Sequence, residues 1–114
     1  MKKIVPFVML ISTVFFACHK KNIQSELPAC VSKKIDEFKK TACKGSGNVC
    51  NYDFQGAKVY VFDKGICIAD GGTQVMDENC NNICLLGGIS GNMKCKGVLF
   101  EKEASNKKVV WKAD

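Results

Sequence analysis

An α+β fold, one amphipathic N-terminal helix packed on a small antiparallel sheet and stapled by disulfides, follows from three observations on this chain of 114 residues. Val31, Ile35, Phe38 and Ala42 recur at helical spacing and share one side of a helix over residues 28–44. Two strand-forming runs, 49–54 and 57–63, flank Gln55-Gly56 as the arms of a hairpin. Seven cysteines, Cys30, Cys43, Cys50, Cys67, Cys80, Cys84 and Cys95, crowd a stretch too short to be held by burial alone, which is the pattern of a secreted disulfide scaffold.

Ahead of this stretch lies an export signal. Lys2 and Lys3 precede an apolar run from Ile4 to Phe16, and Phe16-Ala17-Cys18 ends in the small residue that cleavage requires. As a helix, Ile4 to Cys18 would rise about 22 Å against a hydrocarbon core of about 30 Å, and Lys20 and Lys21 follow at once, so the run is too short to span. A cysteine directly after the cleavage point is where a bacterial lipoprotein carries its acyl chains, and more than one chain suffices for stable anchoring. The expected division is a signal peptide over 1–17, acylated Cys18 with a polar tether over 18–27, and a disulfide-rich domain over 28–114. The location that follows is the cell envelope, and the absence of acidic residues at His19 and Lys20 points to the outer membrane. Release as a soluble periplasmic or secreted protein is the alternative, in which Cys18 becomes a disulfide partner and all eight cysteines pair; with Cys18 acylated, one of the seven is left over.

Once Lys2 and Lys3 leave with the leader, fifteen lysines face eleven carboxylates, and the chain contains no arginine. Without the guanidinium fork, sequence-specific recognition of nucleic acid is not expected. The lysine excess reads as the solvated surface of a monomer whose partners are the membrane, through the lipid on Cys18, and an envelope protein or glycan.

Each element has its own signals. The helix has Ser25 as a cap, Pro28 in its first turn, Lys39, Lys40 and Lys44 at its negative end, and Gly45 as a stop. Cys30 and Cys43 lie about 20 Å apart along its axis and cannot bridge each other. In the hairpin, Phe54 should oppose Ala57, Tyr52 Val59, and Asp53 Lys58. Cys50, Tyr52, Phe54, Ala57, Val59 and Val61 then share one face, the expected seat of the helix, with Tyr60 and Phe62 on the other. That arrangement makes Cys43 to Cys50 the expected local disulfide, with residues 45–47 as slack. Beyond Gly65, apolar runs at 66–69, 75–76 and 83–86 alternate with turn residues and predict a meander around a single core. Segments 98–100 and 108–111 read as a final strand pair around 104–106, with Trp111 in the core or at the sheet edge.

Chemistry-bearing motifs are few. The one histidine, His19, sits in the tether, so no domain cysteine has an activating partner and no enzyme is expected. Cys67, Cys80, Cys84 and Cys95 lack the two short-spaced pairs of a zinc site, and neither metal nor cofactor is expected. Asp77-Glu78-Asn79 offers oxygens as a calcium loop does, but Asn82 and Gly88 stand where glycine and a bidentate glutamate belong, so local turn hydrogen bonds are expected. The loop Gly87-Gly88-Ile89-Ser90-Gly91 lacks the Lys-Ser/Thr ending of a P-loop, and its glycines suit a turn at positive φ. Gly87, Gly88, Ser90 and Gly91, beside Cys84 and Cys95, are the candidate ligand loop.

The run Cys67-Ile68-Ala69-Asp70-Gly71-Gly72-Thr73, followed by Val75, Asp77, Asn79-Cys80, Ile83-Cys84, Gly87-Gly88-Ile89, Gly91 and Cys95, resembles an uncharacterised family of small exported bacterial proteins, often lipoproteins. Val59-Tyr60-Val61-Phe62 and Val110-Trp111-Lys112 are similar to that family's strands. The likeness covers residues 30–112 and implies no activity. Many members carry a Cys-Cys-Asp cluster where this chain has Cys67-Ile68-Ala69-Asp70, which implies a different disulfide pairing. A second likeness is to Kazal-type protease inhibitors, through Cys67, Asp70-Gly71-x-Thr73 and a later cysteine pair, here Cys80-x-x-x-Cys84 rather than Cys-x-x-Cys. The function expected is that of a cell-envelope lipoprotein with a small binding or structural domain; the alternative is a Kazal-like secreted protease inhibitor.

Overall fold

The computed structural model describes residues 26–69 and 71–114. The leader, Cys18, the Ser25 cap and Asp70 lie outside the described residues. The chain forms helix α1 (Ala29–Phe38), strands β1 (Asn48–Phe54), β2 (Ala57–Asp63), β3 (Gly72–Met76), β4 (Asn82–Gly87), β5 (Lys94–Cys95) and β6 (Val98–Leu99), the single-turn helix α2 (Phe100–Glu103), and β7 (Ser105–Lys112). Five strands make one antiparallel sheet in the order β4-β3-β2-β1-β7, and β5 and β6 form a separate ribbon. No helix among the described residues is long and apolar enough to cross a membrane.

The hairpin register is the expected one: Phe54 opposes Ala57, Tyr52 opposes Val59, and Asp53 opposes Lys58. Gln55 and Gly56 both adopt positive φ, 49° and 77°, as a two-residue turn matched to right-handed strand twist requires. Lys58 Nζ lies 2.8 Å from Asp53 Oδ1, closing the cross-strand charge pair.

The face that seats the helix is the opposite of the one expected. Val31 and Ile35 of α1 pack with Val49, Tyr60, Phe62, Met76 and Val110, while Phe38 and Trp111 close the end of this cluster in edge-to-face contacts. Phe54, Val59 and Val75 point to the other side, where Cys95 and Phe100 of the C-terminal segment cover them. There are thus two apolar clusters, one on each face of the sheet, where a single core was expected. The hairpin is apolar on both sides, so both faces need a cover; the helix supplies one and the β5–β6–α2 segment the other.

Helix α1 is also shorter than the predicted 28–44. After Phe38 the backbone tightens into turns: Thr41 and Ala42 amides donate to the Phe38 carbonyl, and the Cys43 amide leaves the helix to donate to Lys64 O at 2.7 Å. The run 66–69 is a loop rather than a strand, with Ile66 91% exposed. The expected pairing of 98–100 with 108–111 does not form: β6 pairs with β5, and β7 returns to pair with β1 through a register shift at Val49/Cys50. Trp111 does lie on an edge strand, β7, whose lysines discourage further strand addition.

Three disulfides brace this framework. Cys30–Cys80 ties the start of α1 to the β3–β4 turn, Cys43–Cys67 ties the segment after α1 to the loop after β2, and Cys84–Cys95 ties β4 to β5. The expected Cys43–Cys50 bond is therefore absent, and Cys50 is the free cysteine among the described residues. The reason is the face exchange: Cys50 opposes Val61 and stands on the face away from α1, whereas Cys43 follows α1 toward Lys64 and Cys67. Gly65 sits at this crossing with φ +102°, and a Cβ there would stand 2.8 Å from the Gly47 amide nitrogen.

Candidate functional site

The strands run so that Asp63, Gly72 and Gly87 lie at one end of the sheet, while the Gln55-Gly56 turn and the 77–81 turn lie at the other. On the face away from α1, the β5–β6–α2 cover stops short of the first end. A groove of about 510 Å³ remains there. Val61, Thr73 and Leu86 form its floor, alternate residues of β2, β3 and β4 that the pleat turns to one side. Tyr52, Met93 and Phe100 form the wall, with the Tyr52 and Phe100 rings edge to face at 5.3 Å, and Asp63 and Glu101 are its charged groups.

The candidate ligand loop closes one end of this groove through Gly87 and Gly91. Gly87, Gly88 and Gly91 all take positive φ, 73°, 72° and 62°, which is the turn geometry expected of them. The loop's own bonds use two of its amides: Gly87 N–H donates to Asn92 O at 2.6 Å and Gly91 N–H to Gly88 O at 3.1 Å. Gly88 and Ser90 do not line the groove. Asn92, which no sequence motif marks, is the keystone. Its side-chain amide donates to Leu85 O at 2.8 Å and Lys94 O at 2.9 Å, and its Oδ1 accepts from the Lys94 amide, so it caps the open edge of β4 and fixes the path into β5. Cys84–Cys95 locks the same junction covalently.

A larger cleft, about 670 Å³, lies at the opposite end, where Leu27 and Pro28 lead into α1. Its lining mixes Glu26 and Glu78 with Lys58 and Lys108 around Tyr60, whose hydroxyl pKa is pushed up by burial and then by Glu78. Nearby Asp53 bonds both Lys58 and the Asn106 amide, at 2.7 Å for the latter, and these bonds hold its carboxyl below the usual aspartate value. Mixed and partly satisfied charge makes this cleft a structural seam, and the apolar groove is the better candidate site.

In the 77–81 turn, Asp77 accepts the Asn79 and Asn81 amides, each at 2.9 Å, and the Asn81 side chain at 3.0 Å. The bonds from Asn81 dominate in lowering its pKa. This is the local turn bonding expected of the segment. Cys50 is 4% exposed, and burial raises its thiol pKa against the opposing pull of Lys107, so it is a poor nucleophile. Cys67, Cys80, Cys84 and Cys95 are distributed over three separate disulfides.

A family model described as a domain of unknown function, DUF6970, matches residues 33–113, most of the chain and nearly all of the described fold. The chain belongs to the DUF6970 family. The match starts inside α1 and ends with β7, so the groove falls within the DUF6970 region, as do both apolar clusters apart from Leu27 and Val31 at the start of the first. No curated protein and no solved structure matches the chain. Three disulfides in so small a DUF6970 domain point to an extracellular or envelope location.

Proposed function

We propose that this DUF6970 chain is a monomeric, lipid-anchored protein of the bacterial cell envelope, held at the outer membrane through acylated Cys18, whose domain binds a ligand in the groove between β2–β4 and the β5–β6–α2 cover. The observation that carries the reading is the placement of Cys30–Cys80. It pins the start of α1, where the tether joins, to the 77–81 turn, and the groove opens at the other end of β3, about 16 Å away along a five-residue strand. A tether joined at that end leaves the groove at the end of the sheet remote from the attachment point.

Two further features support the anchor. The leader ends at Ala17-Cys18, and Cys50, the one domain cysteine without a disulfide, is buried on the face away from α1, so Cys18 meets no accessible thiol in the domain. The test is fractionation of cells expressing the full chain or its Cys18→Ser variant. The parent protein should sediment with outer membranes and the variant should appear in the soluble periplasmic fraction; equal sedimentation of both would remove the lipid from the account.

A further inference from the structure

We propose that the groove takes a small organic ammonium, a cationic nitrogen carried on an apolar or aromatic body. The inference rests on the groove being the ligand site and names the class of ligand. The charge of the lining carries it. The chain has seventeen lysines and a net charge of +6, yet among the described residues no lysine lines the groove, and the charged groups of its lining are the carboxylates of Asp63 and Glu101. Neither carboxylate forms an ion pair among the described residues; Asp63 spends one oxygen on the Gly65 amide at 2.9 Å and has the other to offer. Lys107 acts on Cys50 and is not part of the lining.

The remaining surface suits the rest of such a molecule. Val61, Leu86 and Met93 supply apolar contact, and Tyr52, backed edge to face by the buried Phe100, offers an aromatic ring to a cation or a stacked ring. The thioether of Met93 adapts to irregular shapes. At about 510 Å³ the space fits a small molecule. An anionic ligand would meet two carboxylates there and no lysine in the described lining.

The test uses the full mature chain carrying Cys18→Ser and three probes on one carbon skeleton: 2-phenylethylamine, 2-phenylethanol and phenylacetate. Each is titrated while the Met93 methyl and the Gly87 and Gly91 amides are followed by NMR. The amine should shift these signals at the lowest concentration and phenylacetate should leave them in place. Glu101→Gln should weaken the amine about threefold, as expected of an exposed charge contact. Asp63→Asn keeps the oxygen that accepts the Gly65 amide and should weaken it likewise. Equal response to all three probes, or a stronger response to phenylacetate, would overturn the ammonium while leaving the groove as a ligand site. No response to any of them would overturn the ammonium and the groove together, and the anchor would still be judged by fractionation.

Discussion

Opening the Cys30–Cys80 bond by the double substitution Cys30→Ser, Cys80→Ser should cost more stability than opening either of the others. The three bonds close loops with sequence separations of 50, 24 and 11 residues. Loop-closure entropy in the unfolded chain then gives about 4, about 3.5 and about 3 kcal/mol in that order. A domain of this size has a total stability of about 4–13 kcal/mol. Losing the first bond therefore removes a large share of it, and it also frees the start of α1, whose Val31 and Ile35 fill one side of the sheet. The assay is urea unfolding of the oxidised protein and of the three double-serine variants, followed by tryptophan fluorescence from Trp111, which packs against Phe38. A loss below about 1 kcal/mol for the Cys30/Cys80 variant, or a larger loss for Cys84→Ser, Cys95→Ser, would refute the reasoning that the helix is held chiefly by this long-range brace.

Other outcomes follow from the same packing. Ile35→Ala, at a fully buried position under α1, should cost about 2–5 kcal/mol by chemical denaturation. Gly65→Ala should destabilise the fold and lower the melting temperature, because φ +102° and the approach to Gly47 leave no room for a methyl group, while Gly56→Ala meets only the φ penalty. Cys50 should resist iodoacetamide in the native protein and take up a single label when the oxidised Cys18→Ser chain is unfolded in urea. Asp53 and Asp77 have folded pKa values below those of the unfolded chain, so their contribution is complete above about pH 4 and is lost as pH falls through the lowered values. Stability of the Asp53→Asn, Asp77→Asn protein should accordingly fall less steeply below pH 4 than that of the parent.

Local order was legible in the residues. The Gln55-Gly56 turn fixed the hairpin register down to the Asp53–Lys58 pair, and the 77–81 and 87–91 segments carry the turn chemistry their Asp, Asn and Gly residues imply. Periodicity could not choose a face for the helix, because Tyr52, Phe54, Val59 and Val61 on one side of the hairpin are as apolar as Val49, Tyr60 and Phe62 on the other. The choice depends on what covers the second face, and that cover, residues 94–104, reads in isolation as loop and short strands. Once the face was exchanged, Cys50 stood on the side away from Cys43, and the local disulfide expected from their nearness in sequence had no geometry to form. The pairing of β7 with β1 is a contact across more than fifty residues, and no local signal announces it. The groove was half visible: its glycine end was marked, but Asp63, Glu101 and Phe100 converge on it only through the fold.

The central claim, a lipid-moored domain held by three internal disulfides, is tested most directly by the intact mass of the protein extracted from membranes without reductant. The predicted mass is that of the chain from Cys18 onward, increased by acyl groups and lowered by two hydrogens for each of three disulfides. A mass lacking the acyl increment, or one showing all seven domain thiols reduced, would contradict it.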